Sequence, residues 1–160
     1  MRVLAFDPGF ERLGAAIVER TKNKETLLHS ACIQTSAALP FPERLAILGK
    51  AAEALIESFA PTAMSLEDVY FANNAKTAMK IAEVRGMLIY IAMSHGLALY
   101  QYTPLQVKVA ITGYGQSDKA AVALMVGRLL VLPPRKRYDD EIDAIAVGLT
   151  CLASARLTIR

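Results

Sequence analysis

The periodicity of apolar residues changes once along this chain, at Pro40, and that change limits the folds open to it. Before Pro40, apolar and β-branched residues come in short runs divided by turn-forming residues. VLAFD (3–7) is closed by Pro8-Gly9, GAAIVE (14–19) by the charged ERTKNKE, and TLLHSACIQT (26–35) follows. Three consecutive strands on short loops predict an antiparallel meander. After Pro40, Leu45, Leu48, Ala51, Ala52, Leu55 and Phe59 recur at helical spacing until Pro61 stops the run. TAMSLEDV (62–69) then reads as a buried strand, residues 76–94 as a long helix closed by Gly96, and LALYQY (97–102) as a further strand. Strand, helix, strand implies parallel pairing. Thr103-Pro104 opens a short helix, GYGQS (113–117) is a glycine loop, and Ser117 is placed to cap a helix running to about Leu132. Pro133-Pro134 break that helix, and a last one begins near Asp139 or Asp140. The pattern predicts an α/β fold: a five-stranded mixed sheet, three antiparallel strands and then two parallel ones, with helices on both faces. A single domain, residues 1–160, accommodates it.

Composition narrows the function classes. An apolar fraction of 54% against 21% charged residues excludes a disordered chain. Cys32 and Cys151 lie far apart without CxxC or Cys/His spacing, so they read as reduced core residues and not as a zinc site or disulfide framework. Asp7 and the Pro-Gly turn arrive too early for the apolar region of a secretory signal, and Ser94, His95 and Gly96 divide the one long apolar stretch. The expectation is a cytoplasmic protein with no membrane partner. A net charge of +3 permits an anionic partner without demanding one.

Four acids stand where an apolar residue or none is expected. Asp7 ends the first strand and Glu67 lies near the end of the fourth, where sheets of this kind open their ligand crevices. In RKRYDDEIDAIAVGLTCLA (135–153) a basic cluster turns acidic and then apolar, and Asp140 and Asp143, three apart, share one face of the first turn of a helix. A cap or dipole partner accounts for Asp139 or Asp140 but poorly for Asp143, which sits at the edge of a core face made by Ile142, Ile145, Ala146 and Leu149. Four converging carboxylates repel one another unless cations are present. Two Mg²⁺ ions, with Mn²⁺ as a substitute, match their −4 with +4, so the acids predict a hard-cation oxygen site. Taken alone, Asp7 before Pro-Gly fits an ordinary turn residue. The combination in this order is far narrower. His29 and His95 have no partner acid at ligand spacing and read as structural.

Around these acids the local sequence resembles a known family. LAFDPGFERLG (4–14), SLEDVYFANNAKTAMKIAEVRG (65–86), YTPLQVKVAITGYGQSDKAAV (102–122) and DDEIDAIAVGL (139–149) resemble, in order and spacing, the blocks of the RuvC-type Holliday-junction resolvases of the ribonuclease H-like superfamily. The resemblance implies that Asp7, Glu67, Asp140 and Asp143 are metal-binding acids and that Lys108 and Lys119 help at the scissile phosphate. It places Tyr70, with Phe71 beside it, near the junction centre. It implies paired, metal-dependent nicks in a four-way DNA junction, a homodimer, and a branch-migration helicase complex as partner. The family often has small residues between its helical aspartates, where this chain has Glu141-Ile142.

The residues themselves add two expectations. Helix 76–94 carries Met79, Ile81, Val84, Met87, Leu88, Ile89, Ile91 and Met93 around more than one face, so one stripe can serve the core and another a second copy. The cations that meet DNA should cluster near the acids: Lys76 and Lys80, one helical turn apart, Lys108, Lys119, and the Arg135-Lys136-Arg137 run, which reads equally as a solvated loop balancing the acids after it. Competing function classes are an actin-like kinase or ATPase using DPGFERLG as a phosphate loop, for which 160 residues leave no second domain, a catalytically silent branched-DNA-binding protein, and a broader nuclease.

Overall fold

The computed structural model describes residues 1–22, 24–68 and 75–155. The predicted strand at 62–69 is observed as Ala63–Glu67, and its expected last residue, Val69, lies outside the described residues, as do Tyr70, Phe71 and Asn73. The elements run β1 (Arg2–Asp7), β2 (Arg12–Thr21), β3 (Lys24–Gln34), α1 (Phe41–Phe59), β4 (Ala63–Glu67), α2 (Ala75–Ser94), β5 (Ala98–Tyr102), α3 (Pro104–Thr112), α4 (Lys119–Leu129) and α5 (Asp139–Ala155). The strands form one sheet in the order β3-β2-β1-β4-β5. β1 pairs antiparallel with β2, and β2 with β3, whereas β1–β4 and β4–β5 are parallel. The mixed sheet expected from the sequence is therefore present.

Strand alternation divides the core into two layers. Leu4 and Phe6 of β1, Leu13, Ala15 and Ile17 of β2, and Met64 and Leu66 of β4 face Leu48 and Ala52 of α1 and Val84 and Leu88 of α2. Val3 and Ala5, Ala16 and Val18, and Ala63 face Val107 of α3, Val126 of α4 and Ala144 and Ile145 of α5. By the same period of two, Asp7 and Glu67 emerge on the α5 side, one residue beyond the paired positions Phe6 and Leu66.

Two glycines set the depth of α5 on that face. A Cβ on Gly14, the residue opposite Asp7 in β2, would lie 1.9 Å from the carbonyl oxygen of Asp140. One on Gly148 would lie 2.7 Å from Val18 Cγ2 and 3.1 Å from the Ala5 Cβ. One partner of each contact is thus bare backbone, the strand's at Gly14 and the helix's own at Gly148, and the helix lies close enough to bring its first turn beside Asp7. Gly14→Ala should push that turn outward and lower the unfolding free energy by about 1–3 kcal/mol, and the denaturation midpoint with it. Urea unfolding of the variant reads this, and an unchanged midpoint would mean that α5 does not need the close approach.

Three local expectations are corrected. Asp118, not Ser117, caps α4: its carboxylate accepts from the Ala121 N–H, while Ser117 is occupied within the glycine loop with Thr112 Oγ1 at 2.7 Å and the Tyr114 carbonyl at 2.8 Å. An ionised acid is also the better partner for the positive end of a helix. α4 ends at Leu129, where Leu130 turns to extended backbone, and not near Leu132. On α5 the buried face includes Glu141, Ala144, Ile145 and Gly148, and Ile142 is only partly buried. Helix α3 does begin as predicted, with a reciprocal capping box between Thr103 and Gln106.

Candidate active site

The carboxyl ends of β1 and β4 lie side by side within the sheet, and the first turns of α4 and α5 bring Lys119 and Asp143 beside them. A cavity of about 350 Å³ opens there, lined by Asp7, Glu67, Pro104, Val107, Lys108, Lys119, Val122 and Asp143. Five of the six predicted catalytic residues thus meet in one hollow. Asp140, the sixth, lines the adjoining cleft with Gly9, Phe10, Glu11, Arg12, Thr77 and Ile81.

Electrostatics show how tightly the acids are drawn together. Burial, then the charges of Glu67, Asp143 and Asp140, push the Asp7 carboxyl up to about 8, while Lys119 pulls it the other way. Burial and Asp143 raise Glu67 as well, against the opposing influence of a hydrogen bond accepted from the Asp7 carboxyl and of Lys119 and Lys108. Asp143 is raised by burial, and its hydrogen bond from Lys119 offsets part of the rise. Lys119 Nζ lies 3.1 Å from Asp143 Oδ2, a contact that raises the lysine's own pKa. Arg12 Nε approaches Asp140 Oδ2 at 3.2 Å, but without hydrogen-bond alignment, and that buried oxygen has no hydrogen-bond partner.

This donor set fits a hard divalent cation. It is all oxygen, it is crowded with like charge, and it contains an orphaned buried carboxylate oxygen. Among the described residues no three His, Cys, Asp or Glu side chains converge on a single point as a finished cage. The reason is visible in the ion pairs, because Asp143 is turned to Lys119 and Asp140 to Arg12.

The other predicted contacts divide. Lys80 is half-buried, with Nζ 4.9 Å above the Phe10 ring and 5.6 Å from that of Phe41. Lys76 is exposed on the first turn of α2. The run Arg135-Lys136-Arg137 is not a uniformly solvated basic patch: Arg135 reaches inward to Glu141 and Ser30, and the Arg137 side chain is only 7% exposed. Lys136 alone of the three is left without an inward ion pair among these contacts. Tyr70 and Phe71 lie outside the described residues.

Two residues of consequence escaped the sequence reading. Arg12 could have been found from alternation, since 12, 14, 16 and 18 of β2 share the face that meets α5. Glu141 could have been found from helical spacing, since 141, 144, 145 and 148 make one core-facing stripe.

Known proteins match this chain along nearly its whole length. Residues 3–151 match the family described as Crossover junction endodeoxyribonuclease RuvC. The protein of that name from Ruminiclostridium cellulolyticum is 39% identical over 149 residues, 93% of this chain and 90% of its own length. That from Desulfitobacterium hafniense is 37% identical over 160 residues, covering 100% of this chain and 97% of the relative. Among solved structures, RuvC of T. thermophilus in complex with a Holliday junction substrate superposes with a TM-score of 0.91 at 33% identity, covering 98% of this chain and 96% of that one. Matched along nearly its whole length in both sequence and fold, the chain belongs to the RuvC family of crossover junction endodeoxyribonucleases.

Proposed function

We propose that this chain is a homodimeric endonuclease that binds four-way DNA junctions and nicks two strands of like polarity, using Mg²⁺ held by Asp7, Glu67, Asp140 and Asp143. The observation that carries the reading is the single hollow in which three of those acids face Lys108 and Lys119. Two bound Mg²⁺ ions, or Mn²⁺ in their place, supply a water of lowered pKa, charge stabilisation for the leaving 3′ oxygen and a clamp on the phosphate. No protein nucleophile is needed. Lys119 stands at the first residue of α4 with a side chain 73% exposed, so it can leave Asp143 for the anionic phosphate. Lys108 flanks the same hollow from α3 and holds the phosphate from the other side. Arg12 plays the matching part at Asp140, giving up a misaligned ion pair when that carboxylate becomes a ligand.

Junction, flap, plain duplex and RNA hybrid should be offered in parallel with Mg²⁺. Paired nicks in the junction and little cutting elsewhere are expected. Equal cutting of all four would indicate a broader nuclease, and binding without cutting a silent junction binder.

The metal requirement should depend on pH in a specific direction. Binding requires the ligands ionised. Since the Asp7 carboxyl titrates at about 8, protons compete with metal below that value. The half-saturating Mg²⁺ concentration should fall about tenfold per pH unit between 6.5 and 7.5 and level off above about 8.5. A half-saturating concentration that stays flat across this range would count against Asp7 as a ligand.

The outer face of α2 supports the homodimer. Met79, Tyr90 and Met93 are 66%, 72% and 63% exposed, and the Cβ position of Gly86 has no atom within 4 Å. With Glu83 these positions repeat at spacings of four and three, which is a straight stripe opposite the core-facing Val84, Leu88 and Ile91. A second copy in two-fold symmetry places two sites on one junction. Tyr90→Glu should give a monomer by light scattering at micromolar protein and abolish paired nicking. A dimer that persists in Tyr90→Glu and in Met93→Glu would move the interface elsewhere.

A further inference from the structure

Glu141 is a carboxylate between two of the site's acids, yet it points the other way. It is 1% exposed, on the face of α5 that meets the sheet. Ser30 Oγ, from the edge strand β3, donates to Glu141 Oε1 at 2.6 Å. Arg135 grips the same carboxylate with both ends of its guanidinium, Nη1 to Oε2 at 3.1 Å and Nη2 to Oε1, while Nη2 also donates to the Ser30 carbonyl at 2.8 Å. Arg137 Nε lies 3.4 Å from Oε1, and its Nη1 donates to the Pro133 carbonyl at 3.0 Å. One side chain thereby ties together the free edge of β3, the loop at 133–138 and the first turn of α5. The tie extends to the site itself: Tyr138, next to Arg137, lies under the Arg12 guanidinium at 5.8 Å, and Arg12 is the cation beside Asp140.

The first turn of α5 has reason to need such a tie. Asp139, Asp140, Glu141 and Asp143 carry like charge within five residues, and repulsion favours rolling or fraying of the turn. At 100° per residue, pinning Glu141 inward sets the directions of Asp140 and Asp143. We propose that Glu141, held by Arg135, Arg137 and Ser30, is a positioning residue that fixes the roll of this turn so that Asp140 and Asp143 face the Asp7–Glu67 hollow. This rests on the reading of those aspartates as metal ligands.

Calorimetric titration of Mn²⁺ into the DNA-free protein tests it, with single-turnover junction cleavage as a second readout. Glu141→Gln should weaken Mn²⁺ binding about 10-fold, within the 10–100-fold typical of residues that orient metal ligands. Junction affinity in Ca²⁺ should stay within about twofold, and excess Mn²⁺ should recover most of the cleavage rate. Ser30→Ala leaves every charge in place and removes two hydrogen bonds, the one donated to Glu141 Oε1 and the one accepted from Arg135 Nη2, so it carries the test if Glu141→Gln folds poorly; a loss of about 3-fold is expected. Asp143→Asn is the control. If Asp143→Asn loses tight Mn²⁺ binding while Glu141→Gln and Ser30→Ala keep it, the cluster only stabilises the fold and the positioning role is overturned. If Asp143→Asn itself binds Mn²⁺ normally, the ligand assignment has failed and the positioning role with it.

Discussion

Asp7→Asn is expected to cut a four-way junction about 10³-fold more slowly than the parent chain, to bind that junction as tightly, and to be the more stable protein in metal-free buffer above pH 8. The rate follows from the loss of a metal ligand, since several kcal/mol of transition-state charge stabilisation disappears and each 1.36 kcal/mol is tenfold. The stability follows from linkage. The folded state holds the Asp7 proton up to about pH 8, against 3.8 for an ordinary aspartate, because burial and three neighbouring acids disfavour the charge. As pH rises from 3.8 towards 8, the unfolded chain ionises while the folded one resists, so the acid costs stability throughout that window and most fully above it. Asparagine removes the cost. Even a fraction of the rise is worth about 1.4 kcal/mol, or about 3 °C in melting temperature for a chain of this size. Saturating Mg²⁺ should reverse the order by stabilising the parent chain alone. A variant that is both slow and less stable at high pH would be a damaged fold, and its slowness would say nothing of ligation.

Lys119→Ala should lower the single-turnover rate at saturating protein about 10²-fold while changing junction affinity by no more than about threefold. Its Nζ lies 3.1 Å from Asp143 and lines the hollow, so the charge stands where negative charge develops on the phosphate. Removing one preorganised donor of that kind costs about 10²–10³-fold. Lys119 also lowers the pKa of Asp7, Glu67 and Asp143, so the variant's pH profile should shift to higher pH as those carboxyls lose their neighbouring cation. A residue that merely positions DNA would behave otherwise, weakening binding to all junction sequences and reducing the salt dependence by about one ion, with full cleavage once bound. That outcome would remove Lys119 from the catalytic group.

What could be read from the sequence was what local periodicity encodes. The short apolar runs VLAFD and TAMSLEDV put Asp7 at the end of one strand and Glu67 near the end of another, and their side of the sheet follows by alternation from Val3, Ala5 and Ala63. The three-residue spacing put Asp140 and Asp143 together on α5. Less legible were pairings across long separations. Arg135 and Arg137 read as an outward basic run because the residue that draws them in is a glutamate whose burial depends on Ser30, over a hundred residues earlier. Arg12 drew no reading of its own because its neighbour Asp140 is brought near only in the fold, at the bare backbone of Gly14. The cap of α4 was misplaced by one residue because Ser117 and Asp118 both suit the role, and the glycine loop claims Ser117.

The most direct measurement is anomalous scattering from Mn²⁺ in crystals of the protein with a four-way junction. Two peaks about 3.5–4 Å apart, within ligand distance of Asp7, Glu67, Asp140 and Asp143, are expected, with Lys119 moved off Asp143 and Arg12 off Asp140. Peaks absent from this hollow, with both ion pairs intact and the junction bound, would contradict metal-dependent cutting by these four acids.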